Sequence, residues 1–132
     1  MKNKIFVGEF IGSALLVMAI VGSGIMAESL TNDTAVILLA NAVATGAALY
    51  FLIVSISDIS GAHFNPFVTL AMYLSKKIKS QLLPVYFTAQ ILGCLTGVML
   101  ANFFFDSSLL ELSSKRRAGI NVVVSEIIAT FG

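Results

Sequence analysis

The chain of 132 residues is 58% hydrophobic, only 11% charged, and carries a formal net charge of +1, with a mean hydropathy of +0.95. A soluble domain carries roughly 25% charged residues, so the composition excludes an ordinary water-soluble fold and points to a polytopic membrane protein. The few charges are scattered at the ends of apolar segments, which leaves no basic surface suited to nucleic acid.

In chain order, Met1-Lys2-Asn3-Lys4 is followed by an apolar run over residues 5–26. At about 22 residues this run has the length of a membrane span, where a signal-peptide core is shorter, so a retained first helix is expected at about 5–27. A short acidic break, Glu28-Ser29-Leu30-Thr31-Asn32-Asp33, precedes a second span at about 35–56. Asn32-Asp33-Thr34 matches the glycosylation sequon, a three-residue pattern common by chance. A third span is expected at about 82–105.

The connection between the second and third spans, residues 57–81, is too long and too apolar in its middle for a simple loop. It contains Ser60-Gly61-Ala62-His63-Phe64-Asn65-Pro66-Phe67-Val68-Thr69. Proline suits the first position of a helix, because its missing N–H is unpaired there in any case, and Asn65 is a good N-cap. The apolar stretch from Pro66 to Leu74 ends at Ser75-Lys76-Lys77. At 1.5 Å per residue it is roughly 14 Å long, about half of the hydrocarbon core. A half-helix preceded by irregular backbone is the natural reading, and such backbone is tolerated at membrane depth only where protein buries it or it lines a wet path. The segment therefore points to a pore.

Lys2 and Lys4 precede the first span, and Lys76, Lys77 and Lys79 follow the half-helix on the same side; the positive-inside rule makes that side cytoplasmic. Lys115-Arg116-Arg117 fall on the other side, so the preference is five to three. A last apolar stretch, 122–131, reads as the opening of a fourth span. Val7-Gly8-Glu9-Phe10-Ile11 and Val124-Ser125-Glu126-Ile127-Ile128 place Val, Glu and Ile at alternate positions, with the two glutamates 117 residues apart. Internal repeats are a common build of membrane transport folds, and three spans per repeat would turn a second copy upside down. The expected division is a first repeat at 1–119 and the start of a second at 120–132.

The segment from Ser60 to Thr69 resembles the first Asn-Pro-Ala box of the aquaporin and glycerol-facilitator family. Glu9-Phe10-Ile11-Gly12 resembles that family's first helix, Tyr86-Phe87-Thr88-Ala89-Gln90-Ile91-Leu92-Gly93 its third, and Ser125-Glu126-Ile127-Ile128-Ala129-Thr130-Phe131 the start of its fourth. The resemblance covers essentially the whole chain. It implies an all-α membrane fold: three transmembrane helices, one re-entrant half-helix and the start of a fourth helix.

It also implies a passive channel for water or small neutral solutes. The half-helix would aim its positive end at the membrane centre, where the Asn65 amide N–H groups face the pore. Gly61, Ala62, His63 and Phe64 would offer backbone carbonyls as acceptors, with Asn65, Pro66 and Phe67 completing the lining. Cations would meet the positive helix end and a dehydration cost, so neutral solutes pass. Glu9 lies in the first span, where a carboxylate is expensive unless bonded; the resemblance gives it a structural role, accepting from loop N–H groups, with Glu126 as its counterpart in the second copy. His63 reads as scaffold rather than base, and Gln90 and Asn41 as mid-span groups bonding across helices. Gly8 with Gly12, and Gly93 with Gly97, have the spacing that permits close helix crossing.

Thr45 matches the family position on the second helix that contributes to the selectivity constriction, where water- and glycerol-selective members usually carry a bulky aromatic. A small residue there suggests a wider opening, suited to glycerol-like solutes or undissociated arsenous acid. Val21-Gly22-Ser23-Gly24-Ile25-Met26-Ala27 resembles a bacterial subgroup sometimes associated with arsenite movement. Phe67 departs from the family, which usually has alanine where two half-helices abut. A second Asn-Pro-Ala box and the constriction arginine are also absent from these 132 residues, so a pore needs a second half-channel, from another chain or an inverted copy of this one. Otherwise the chain is a non-conducting truncated fragment, or half of a proton-coupled secondary transporter using Glu9 and Glu126.

Catalysis has no support, since no nucleophile–base pair, phosphate loop or metal-ligand spacing occurs. The single Cys94 lies in an apolar segment, far from the single histidine, so neither an internal disulfide nor a metal is expected, and no cofactor. The expected surroundings are the lipid bilayer and a homo-oligomer, a tetramer by family resemblance. The expected location is an integral, multi-pass position, in the inner membrane if the source is bacterial, with a cytoplasmic N-terminus.

Overall fold

The computed structural model describes residues 2–109 and 119–131. Among these described residues five α-helices run in the order α1 (Lys2–Leu30), α2 (Thr34–Ser60), α3 (Pro66–Leu74), α4 (Leu83–Phe104) and α5 (Ile120–Phe131), with a 3-10 turn at Ser80–Leu82 leading into α4. Three of them, α1, α2 and α4 with its leading turn, are long and apolar enough to cross a membrane. The protein is an integral, multi-pass membrane protein.

The spans run a few residues past the apolar runs at several ends. Lys2, Asn3 and Lys4, then Glu28, Ser29 and Leu30, are helical in α1, and Ser57 to Ser60 are helical in α2. A helix needs only its backbone bonds and tolerates polar side chains once its ends reach the water-facing boundary, so its limits are set by caps. Asp33 caps α2, accepting from the N–H groups of Ala35 and Val36 at 2.9 and 3.3 Å. Gly61 ends it with a left-handed φ of 94°, its N–H donating to the Ser57 carbonyl, as glycine does most readily. The basic triplet Lys115-Arg116-Arg117 lies outside the described residues, so the orientation preference rests here on the lysines alone.

Helix α1 is central, packed on α4 along one side and α2 along the other, while α3 lies against α4. Close approach of α1 and α4 depends on glycine. A Cβ on Gly93 would lie 2.5 Å from the Phe10 carbonyl oxygen, and one on Gly97 would collide with that of Ala14. The outer face of α2 is the reverse of a soluble helix, with Leu38, Leu39, Val43, Tyr50, Phe51 and Val54 exposed. The buried interior holds Glu9, Ser13, Thr69 and Gln90, each fully enclosed. Polar groups collected inside and apolar groups outside are the arrangement that lipid imposes.

Candidate functional site

The chain turns at Gly61 and runs back into the bundle. Phe64 packs in one cluster with Leu52, Ile56 and Ala62, against which Leu16 also packs, and its ring fills the space a Cβ on Gly12 would need. Leu16 stands near the middle of α1, so the loop tip reaches mid-height before α3 carries the chain outwards. Asn65 starts α3 with extended backbone, φ −150° and ψ 127°, and its side-chain oxygen accepts from the Phe67 N–H at 2.8 Å.

The loop backbone is strained. Ala62 and Phe64 have φ of 51° and 50°, a left-handed conformation costing roughly 1–2 kcal/mol for a residue with a Cβ. Buried acceptors hold it there. The Ala62 N–H donates to Ser60 Oγ at 3.2 Å, the His63 N–H to Glu9 Oε1 at 3.0 Å and the Phe64 N–H to Glu9 Oε2 at 2.8 Å. Ser60 Oγ–H also donates to Oε1 at 2.7 Å, and Gln90 Nε2 to Oε2 at 2.8 Å. The carboxylate thus accepts four hydrogen bonds and no ammonium or guanidinium group pairs with it in this network. Charge-assisted bonds of this kind are roughly twice as strong as neutral ones, which is what makes a buried carboxylate tolerable here.

A second hub is the Thr69 hydroxyl. It donates to the Asn65 carbonyl at 3.1 Å and accepts from Gln90 Nε2 at 2.9 Å. Its oxygen also lies 3.0 Å from His63 Nδ1, and whenever the hydroxyl donates to the Asn65 carbonyl it is Nδ1 that carries the ring proton. The His63 ring stacks on Tyr86, with centroids 4.4 Å apart, and the Tyr86 hydroxyl donates to the Ser60 carbonyl. The structure therefore brings Glu9, His63, Asn65 and Gln90 into one network through Ser60 and Thr69. In the sequence Tyr86 is simply the first residue of the stretch that resembles the family's third helix. Nothing in its immediate context signals that it would brace the turn at Ser60.

The model of the major intrinsic protein family matches residues 1–132. The chain belongs to that family. Among curated relatives of the major intrinsic proteins, it is 45% identical over 126 residues to the aquaglyceroporin AqpS of Rhizobium meliloti (strain 1021), covering 96% of this chain and 54% of that protein. It is 36% identical over 135 residues to aquaporin TIP1-2 of Musa acuminata (98% and 53% covered). It is 34% identical over 132 residues to the probable aquaporin TIP2-2 of Oryza sativa subsp. japonica (98% and 53%). The chain spans about half the length of the curated relatives it matches.

The side chains of Thr45, Asn41 and Phe67, singled out in this major intrinsic protein's sequence, take no part in the network. Thr45 is half-buried on α2 and its hydroxyl is enclosed with no hydrogen-bond partner; one turn earlier Asn41 donates to the Ile20 carbonyl at 2.7 Å and to Ser23 Oγ at 3.0 Å. Phe67 is 68% exposed and lines an open groove of about 640 Å³. Asn65 and Leu74 contribute to that groove from the α3 side, and Glu126 with Ala129 from α5. Among the described residues no group of three or more His, Cys, Asp or Glu is placed to hold a metal ion.

Proposed function

We propose that this chain forms half of a passive transmembrane channel for water or small neutral solutes. The observation that carries the reading is the re-entrant turn at residues 61–65, in which the His63 and Phe64 N–H groups bond inward to Glu9, and whose capped half-helix starts at mid-height. With those N–H groups turned inward, the carbonyls of Gly61, Ala62, His63 and Phe64 are the groups available to a solute. Asn65 spends its side-chain oxygen on the cap and keeps its amide N–H groups for a solute oxygen. Pro66 and Phe67 complete the lining. Neutral molecules that both donate and accept suit such a path, and cations are disfavoured by the positive end of α3.

Thr45 in place of an aromatic side chain favours a constriction wide enough for glycerol-like solutes and undissociated arsenous acid, and the 45% identity to a protein named an aquaglyceroporin agrees with that. The open groove beside Asn65 and Phe67 calls for a second half-channel to close it, from another chain or an inverted copy, with Glu126 holding that half's loop as Glu9 holds this one. The complete channel would assemble as a homo-oligomer, a tetramer as the family resemblance implies. The N-terminal lysines face the cytoplasm, in the inner membrane if the source is bacterial. A proton-relay reading of Glu9 is disfavoured, because all four hydrogen bonds to its oxygens are donated to it.

Stopped-flow light scattering of proteoliposomes tests the proposal. The protein reconstituted with the second half of the Rhizobium meliloti aquaglyceroporin should pass glycerol downhill at a rate unaffected by a pH gradient, and should lose that flux in Asn65→Ala. Blue-native electrophoresis should show the two halves together. Flux coupled to a proton gradient would overturn the channel reading, and absent flux from a well-folded pair would make the chain a non-conducting fragment.

A further inference from the structure

Helices α1 and α4 run parallel, since Glu9 meets Gln90, Ser13 meets Gly93 and Ala14 meets Gly97 in step. Their first turns therefore lie side by side at one membrane face, and an open groove of about 360 Å³ separates them. Lys2, Asn3 and Phe6 line it from α1, and Pro84, Val85 and Thr88 from α4. Its walls are apolar for identifiable reasons. Phe6 and Val85 are half-buried hydrocarbon, Pro84 has no N–H, and the Thr88 hydroxyl is turned back onto the Pro84 carbonyl at 2.7 Å. The polar donors that remain, the Lys2 ammonium and the Asn3 amide, belong to the chain's first turn, at its water-facing end.

Among the described residues, four further lysines stand at this face beside Lys2, against one exposed carboxylate, Asp58, near the end of α2. Lys4 lines the neighbouring groove with Asn3, Val7 and Ile59, and Lys76, Lys77 and Lys79 precede α4 at the same face. The carboxylates on the adjoining elements do not compete: Glu9 is buried with its oxygens bonded, and Asp58 on α2 lines neither groove. A hydrocarbon slot with cationic and amide donors at its mouth, placed where lipid headgroups lie, is complementary to one class of molecule. We propose that this groove is a binding site for an anionic phospholipid, with one acyl chain along Phe6 and Val85 and the phosphate at Lys2 and Asn3. This groove shares no lining residue with the one at Asn65 and Phe67.

Native mass spectrometry of the protein released from detergent, equilibrated with equal amounts of phosphatidylglycerol and phosphatidylcholine, tests this. The expected result is a discrete adduct of one phosphatidylglycerol, weakened about fivefold by Lys2→Gln, the loss expected for one basic residue at a lipid surface. Lys2→Glu should abolish the preference between the two lipids. Val85→Trp, which fills the slot, should remove the adduct with helical content unchanged. The triple change Lys76→Gln, Lys77→Gln and Lys79→Gln should leave the adduct in place. Equal retention of both lipids would overturn the proposal. So would an effect of the triple change as large as that of Lys2→Gln, because lipid would then be following the summed charge of the face and not the groove. Lys2 is exposed and outside the core, so its variants test binding even if Val85→Trp fails to fold.

Discussion

Glu9 shows how one residue sets the shape of a backbone that would not adopt it unaided. Residues 62 and 64 hold left-handed φ values, and the N–H groups thereby turned inward at 63 and 64 end on the two carboxylate oxygens. Replacement by glutamine keeps the volume and removes the match. One acceptor oxygen becomes an NH₂ group facing donors, either Ser60 and His63 or Phe64 and Gln90. Gln90 can relieve one conflict by turning its amide, because its own Oε1 is buried without a partner, but the backbone N–H groups have no such freedom. Glu9→Gln is therefore expected to cost about 2–3 kcal/mol, the loss of a charged acceptor together with a buried donor left unpaired. The measurement is thermal unfolding in detergent followed by circular dichroism. A change of less than about 0.5 kcal/mol, the range of ordinary surface substitutions, would mean that the loop holds its shape without the carboxylate.

At the scale of elements, the half-helix was the most legible piece and the loop before it the least. Asn65, Pro66 and the Ser-Lys-Lys stop carry local stereochemistry, so the sequence marks α3 at Pro66–Leu74, the bounds observed. The span ends were read from hydropathy, which reports the lipid boundary, whereas caps such as Asp33 and Gly61 end the helices. The left-handed Ala62 and Phe64 carry no local sign, because the turn they form is held by the His63 and Phe64 N–H groups on Glu9, more than fifty positions away; nor does Tyr86 announce its reach to Ser60. The glycines were legible as a spacing, and the structure separates their roles. Gly93→Ala and Gly97→Ala force α1 and α4 apart and should each cost about 1–3 kcal/mol, as overpacked sites do. Gly46 has nothing within 4 Å of the position its Cβ would take, so Gly46→Ala should be stabilising by about 0.5–1 kcal/mol through helix propensity. Ranking the three by denaturation midpoint checks this, and equal effects at positions 46 and 97 would contradict the packing seen at the α1–α4 seam.

For the whole molecule, the question is whether residues 61–74 leave and return on one side of the membrane. α1 carries the chain from the lysine face to the opposite one, α2 returns it, and α4 crosses again, while α3 is too short to cross at roughly 14 Å. The Gln90–Thr69 bond of 2.9 Å ties the middle of α3 to the early part of α4, so the end of α3 and the start of α4 must lie at the same face. Single cysteines read this directly once Cys94, half-buried within α4, is replaced by serine. On sealed vesicles, a membrane-impermeant maleimide should label Lys2→Cys and Ser75→Cys from one side and Asn32→Cys from the other. Labelling of Ser75→Cys together with Asn32→Cys would require residues 61–74 to cross completely. Thr69 could not then reach Gln90 while Asn65 stayed beside the loop that Glu9 holds, and the re-entrant architecture, with the permeation path inferred from it, would fall together.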